Sequence, residues 1–149
     1  MQFNAFAAYS AVVGVTAEVS PEMQNGDYES GIVQIGEGPW RIRTARNTPT
    51  KLGAFVAFWQ RDAEGSTTPF CNDGLAAGLL VFVEQHDRRG AFRSTGVHLT
   101  ELGIFSGRRP GKRGFRVYPS WCAGLNVQSA VTQRGQAPRS GSTELRSPW

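Results

Sequence analysis

Metal-binding side chains are scarce in this chain. Its 149 residues hold two cysteines, Cys71 and Cys122, and two histidines, His86 and His98. No pair among them has the close spacing of zinc ligands, so no metal is expected. In a reducing compartment the two thiols are expected to be free. Only Lys51 and Lys112 represent lysine, and neither stands in an Asp/Glu-x-Lys tripeptide. That removes the local pairing of ion ligand and water-positioning lysine that many metal-dependent nucleases use. The glycines of "GEGPW" and "GRRPGKRG" lack the strand–loop–helix setting of a nucleotide fingerprint, and no other cofactor is expected. No apolar run approaches the ~20 residues of a membrane-spanning helix. The apolar start, "MQFNAFAAYSAVVGV", has no Lys or Arg ahead of it and no convincing small-residue cleavage site. The expectation is a soluble cytoplasmic protein without a membrane partner.

Positive charge is absent from residues 1–40, which carry Glu18, Glu22, Asp27, Glu29 and Glu37. All 16 basic residues follow, against seven acids. A one-sided field of this kind attracts polyanions. Fourteen of the 16 are Arg, which a GC-rich coding bias would also produce.

What is present suits one domain with a hydrophobic core. Apolar residues make up 40% of the chain, with 9 Phe, 4 Trp and 3 Tyr, while 18 Gly and 8 Pro call for many turns. Phe3, Phe6, Ala7 and Val13 fall near helical spacing. "GIVQIGEG" (31–38) and "PWRIRTAR" (39–46) read as a hairpin, with Trp40, Ile42 and Thr44 on one face and Arg41 and Arg43 on the other. "AFVAFWQR" (54–61) and "LAAGLLVFVEQ" (75–85) read as buried strands and "AFRS" (91–94) as a short one. A short helix is expected within 96–107, ended by Gly103. "GFRVYPSW" (114–121) alternates as a half-buried strand with Arg116 on its polar face, and 126–133 is a helix candidate. His98 is read as a surface side chain. The expected fold is α+β: one domain over residues 1–133, a mixed or mostly antiparallel sheet of five or six strands with short flanking helices. Residues 134–149 are read as a disordered tail.

Two segments carry a resemblance. "IRTARNTPTKLGAFVAFWQR" (42–61) and "GKRGFRVYPSW" (111–121) resemble, in order, the two hallmarks of the MepB-like proteins, a family of small bacterial proteins. "ESG" (29–31) and "LNVQSAVTQ" (125–133) extend the likeness to residues 29–133. The resemblance implies a mixed sheet flanked by helices, like that of restriction endonucleases, and suggests nucleic-acid binding. Where relatives often carry an acid before the strand at 79–83, this chain has Ala76, Ala77 and Gly78.

Function is therefore sought in the basic segments. Arg43, Arg46 and Lys51 form one set, and Arg108, Arg109, Lys112, Arg113 and Arg116 another. Tyr118 and Trp121 stand close enough in sequence to stack on an unpaired base. Gly107, Gly111 and Gly114 would bring backbone N–H groups to a phosphate. The reading is a non-catalytic binding protein for DNA or RNA, gripping phosphates with little sequence specificity. Arg61 and Arg116 paired with Glu29 or Glu37 would be the structural alternative. A divergent metal-dependent nuclease or phosphodiesterase is one rival, although Asp73 and Glu84 bracket a strand and stand at opposite ends of it. A module docking on an acidic protein partner is the other.

Overall fold

The computed structural model describes residues 2–36 and 38–137 in full and the backbone of 143–146. The chain starts with helix α1 (Asn4–Val13), then β1 (Val19–Pro21), β2 (Gly31–Ile35) and β3 (Gly38–Thr44). β4 (Arg46–Thr48), β5 (Lys51–Ala57), β6 (Trp59–Arg61) and β7 (Thr67–Pro69) follow. β8 (Gly78–Gln85), β9 (Arg88–Thr95), α2 (Gly96–Glu101), β10 (Gly114–Val117), α3 (Val127–Gln136) and β11 (Thr143–Arg146) complete it.

The main sheet runs β1-β2-β3-β8-β9-β11, antiparallel throughout except for the parallel β3–β8 pair. The expected hairpin is β2–β3. A second sheet has the order β10-β5-β4, and β6 pairs with β7. The expected mixed α+β fold is what forms.

β8 is central because it is apolar on both faces. Leu79, Val81 and Val83 point to one side, where β5, β10 and the segment around Ile104 and Phe105 pack. Leu80 and Phe82 point to the other, where α1 lies. There Phe6 and Tyr9 face the sheet, with Tyr9 and Phe82 ring centroids 5.2 Å apart. Sequence spacing favoured Ala7 and Val13 for that face, but both are exposed. The buried positions are instead three residues apart, since a short helix needs only one turn of contact.

Other elements differ in detail. The strand expected over 54–61 ends at Ala57, and the N–H of Phe58 turns to the carbonyl of Arg113, 2.9 Å away. It is central to the second sheet rather than to the main one. α3 runs on through Gln136, and Thr143–Arg146 pairs with β9, so these parts of the expected tail are ordered elements. Residues 138–142 and 147–149, and Glu37, lie outside the described residues.

The most consequential difference is Arg43. Alternation put it opposite Ile42, as observed, but the second face of β3 is buried too. Arg43 is fully buried and bonds to four groups: Glu22 Oε1, Asn25 Oδ1 (3.0 Å), its neighbour's carbonyl at Ile42 (2.9 Å) and Ala57 O (3.3 Å). Arg41 Nε lies 3.6 Å from Glu22 Oε2, an ion-pair contact too long for a hydrogen bond. The two guanidiniums lie over Phe58 and Phe70, whose rings stack at 4.4 Å. Burial pulls the Arg43 pKa below its ordinary value, and the Glu22 carboxylate opposes that shift. Glu22→Ala leaves both cations uncompensated. It should destabilise the protein by about 3–5 kcal/mol in denaturant unfolding, against under ~1 kcal/mol for an exposed control such as Glu64→Ala.

Candidate nucleic-acid interface

The two hallmark segments meet in space. β5 and β10 pair antiparallel, with Phe115 opposite Val56, Arg116 opposite Phe55 and Val117 opposite Ala54. Val56 and Phe115 turn inward, and Arg116 turns outward with Phe55. Across the other ladder Phe55 also faces Arg46, which places Arg46 and Arg116 in one row on the outer face of the second sheet.

Small residues permit this contact. Gly53 has φ 77°, and a Cβ there would lie 2.7 Å from both the Tyr118 ring and Val117 O. Only glycine takes that conformation without strain and leaves room for the ring. Tyr118 is accordingly buried, its hydroxyl accepting from Ser129 Oγ at 3.3 Å. It serves mainly for packing, though it also contributes to the lining of the groove between β10 and α3. Trp121 packs partly on the core, and its Nε1 donates to Gln85 Oε1 at 2.8 Å.

The cations split into three places. Arg43 is inside, as above, with no surface to offer a phosphate. Lys51 and Trp121 line a cleft of about 780 Å³ beside the β8–β9 turn. Arg109, Lys112 and Arg116 line a different groove, of about 490 Å³, between the 107–113 loop, β10 and α3. Arg108 and Arg113 are exposed on the same loop.

Carbonyl groups aim several of these side chains. Arg116 Nε and Nη2 donate to Leu52 O at 3.2 and 3.0 Å, and Nη2 also to Thr48 Oγ1 at 2.6 Å. Arg113 donates twice to Thr67 O, both at 3.2 Å, and Arg109 to Glu101 O at 3.4 Å. Neutral acceptors position a guanidinium without cancelling its charge, and its remaining N–H groups stay available. Among the described residues, no carboxylate pairs with Arg46, Lys51, Arg108, Arg109, Lys112, Arg113 or Arg116. Arg61 donates to Gly65 O and lies over Trp59, and among the described residues no ion pair joins it to Glu29, while Glu37 lies outside them.

The loop's backbone has another role than the one expected of it. The N–H groups of Gly107, Gly111 and Lys112 are already bonded to Arg109 O, Ser106 Oγ and Ile104 O. A Cβ on Gly111 would lie 2.5 Å from Ile104 O, so this glycine lets the loop fold onto its own base. The loop is a braced platform from which side chains project.

Two structural residues were missed or misread in sequence. His98 is buried, not on the surface, and its Nε2 meets Gly135 O at 2.8 Å, joining α2 to α3. Gln136 was assigned to the tail, yet its amide completes the free edge of β10. Tyr118 N–H donates to Gln136 Oε1 at 3.0 Å, and Gln136 Nε2 donates to Arg116 O at 2.7 Å. A lone Gln near a helix end carries no local signal of such a task. Gln136→Ala strips both partners from a buried strand edge and should cost about 1–3 kcal/mol in thermal or denaturant unfolding. It should also loosen the α3 wall of the groove, read as faster amide exchange at Tyr118.

Comparison with known proteins agrees with this architecture. No curated protein matches the chain. A solved structure described as the crystal structure of MepB is similar at 28% identity, with a TM-score of 0.83 and 99% of each chain covered. The MepB-like family model matches residues 22–139, a span that contains both hallmarks, the buried Arg43 cluster and α3, and the chain belongs to that family.

Proposed function

We propose that the chain is a binding protein for nucleic acid, held by phosphate contacts at the groove between the 107–113 loop, β10 and α3. One observation carries the reading. Arg109, Lys112 and Arg116 line a single groove, flanked by Arg108 and Arg113, and none of the five has a carboxylate partner among the described residues. Among the described residues, Glu101 is the one acid along the groove wall. Cations fixed by carbonyls on a braced loop suit the regularly spaced, singly charged oxygens of a nucleic-acid backbone.

Charge placement supports a defined binding side. α1, which carries no Lys or Arg, covers the opposite face of the main sheet. Among the described residues, the cations of this groove stand on a loop and on β10 rather than along a helix, so recognition should be insensitive to sequence. The nuclease alternative draws less support. Among the described residues, no three His, Cys, Asp or Glu side chains converge as a ligand set. Asp73 caps the N–H of Leu75 within its own loop, and Glu84 pairs with Arg89 at 3.5 Å.

Fluorescence anisotropy with labelled single- and double-stranded DNA and RNA, over a series of salt concentrations, tests the proposal. The parent should bind with a steep salt dependence. Arg108→Ala/Arg109→Ala/Lys112→Ala should flatten the slope of log K against log salt by about 2.1–2.7, since each lost phosphate contact removes about 0.7–0.9. A parent that does not bind at low salt, or a triple variant that binds like the parent, would contradict it.

A further inference from the structure

We propose that the cleft beside the β8–β9 turn is a second, separate site, and that its ligand is a small organic anion with a flat ring, the size of a nucleoside monophosphate. At about 780 Å³ it has the volume of a small-molecule pocket, about 300–1,000 Å³. It shares no lining residue with the groove of the 107–113 loop. The inference therefore stands apart from nucleic-acid binding.

Three loops form the cleft, and one side chain ties them together. Gln85 Nε2 donates to Asn47 Oδ1 and to Gly53 O, each at 3.0 Å, and so holds the β4–β5 region. Its Oε1 accepts from Trp121 Nε1 at 2.8 Å and from Cys122 Sγ at 3.7 Å, which fixes the turn after β10. Asn47 Nδ2 donates in turn to Glu84 O at 2.7 Å. The floor is thus set before any ligand arrives, which reduces the ordering cost of binding. The two-residue β8–β9 turn closes the third side, with His86 at φ 58° as tight hairpin turns require.

The chemistry left open to a ligand follows from what the floor has already used. Gln85 has both ends of its amide occupied, so recognition falls to the rim and the flat surfaces. Lys51 and Arg88 are exposed at the rim without a carboxylate partner among the described residues, facing one acid of the lining, Asp87. Two cations against one carboxylate favour a ligand of low negative charge. Trp121, whose indole is pinned through Nε1, offers a fixed aromatic surface, with Pro49 and half-exposed Leu52 beside it. A phosphate or carboxylate on Lys51 and Arg88, with a planar ring against Trp121, satisfies both halves.

Isothermal titration calorimetry with adenosine monophosphate, adenosine and inorganic phosphate as probes tests this. Adenosine monophosphate should bind at least about ten-fold more tightly than either half alone, because each half forfeits one set of contacts. Lys51→Ala/Arg88→Ala should weaken it about ten-fold or more. Both side chains are exposed, and an unchanged melting temperature would confirm that the variant is folded. Arg108→Ala/Lys112→Ala should leave the affinity as it was. Three results would overturn the proposal: no binding of the nucleotide at millimolar concentration, equal binding of inorganic phosphate, or a loss caused by the loop variant rather than the cleft variant.

Discussion

The carboxylate of Glu22 is the joint on which the two sheets are assembled. It reaches from the segment after β1 to Arg43 and Arg41 on β3. Arg43 then bonds the last carbonyl of β5 at Ala57 and the side chain of Asn25. Asn25 Oδ1 also receives the N–H of Trp59 at the start of β6. Three segments of the chain, 22–25, 41–43 and 57–59, therefore converge around one planar guanidinium. An apolar side chain of equal size could fill the space over Phe58, but it could not satisfy these acceptors. Leaving them bare inside the core would cost more than the ion pair's own desolvation returns.

From that joint the rest of the architecture follows outward. β5 is held against the main sheet at Ala57, so its partner β10 is placed over Val81 and Leu79 with Phe115 and Val117 inward. The same pairing turns Arg116 outward, where Leu52 O and Thr48 hold it. Gly53 makes room for Tyr118, and Gln136 then seals the edge of β10 and seats α3. Both hallmark segments are thus mainly devices for joining two sheets. Their exposed cations are carried on a frame that buried polar groups define.

How far this could be read from sequence depends on the range of each signal. Alternation at 31–46 located the β2–β3 hairpin and the faces of Trp40, Ile42, Arg41 and Arg43, because a pleat is a local property. It could not tell that both faces are covered, since coverage comes from β5 and β6 across the fold. Arg43 was therefore grouped with Arg46 and Lys51 as a surface cation. The apolar run at β8 was legible as a buried strand for the same local reason. His98 and Gln136 were not legible, because their partners, Gly135 and the β10 edge, are set only when α3 docks. Of the ten residues singled out, the loop cations kept an exposed position, while Arg43 and Tyr118 proved to belong to the core.

On the proposed reading, this frame presents one cationic side to a polyanion. The most direct measurement is a backbone amide NMR titration of the protein with a short, unmodified oligonucleotide at low salt. Shifts should concentrate at residues 107–118 and along 128–132 of α3, and fade as salt is added. Shifts concentrated on α1 and β1, or none at any salt concentration, would contradict it.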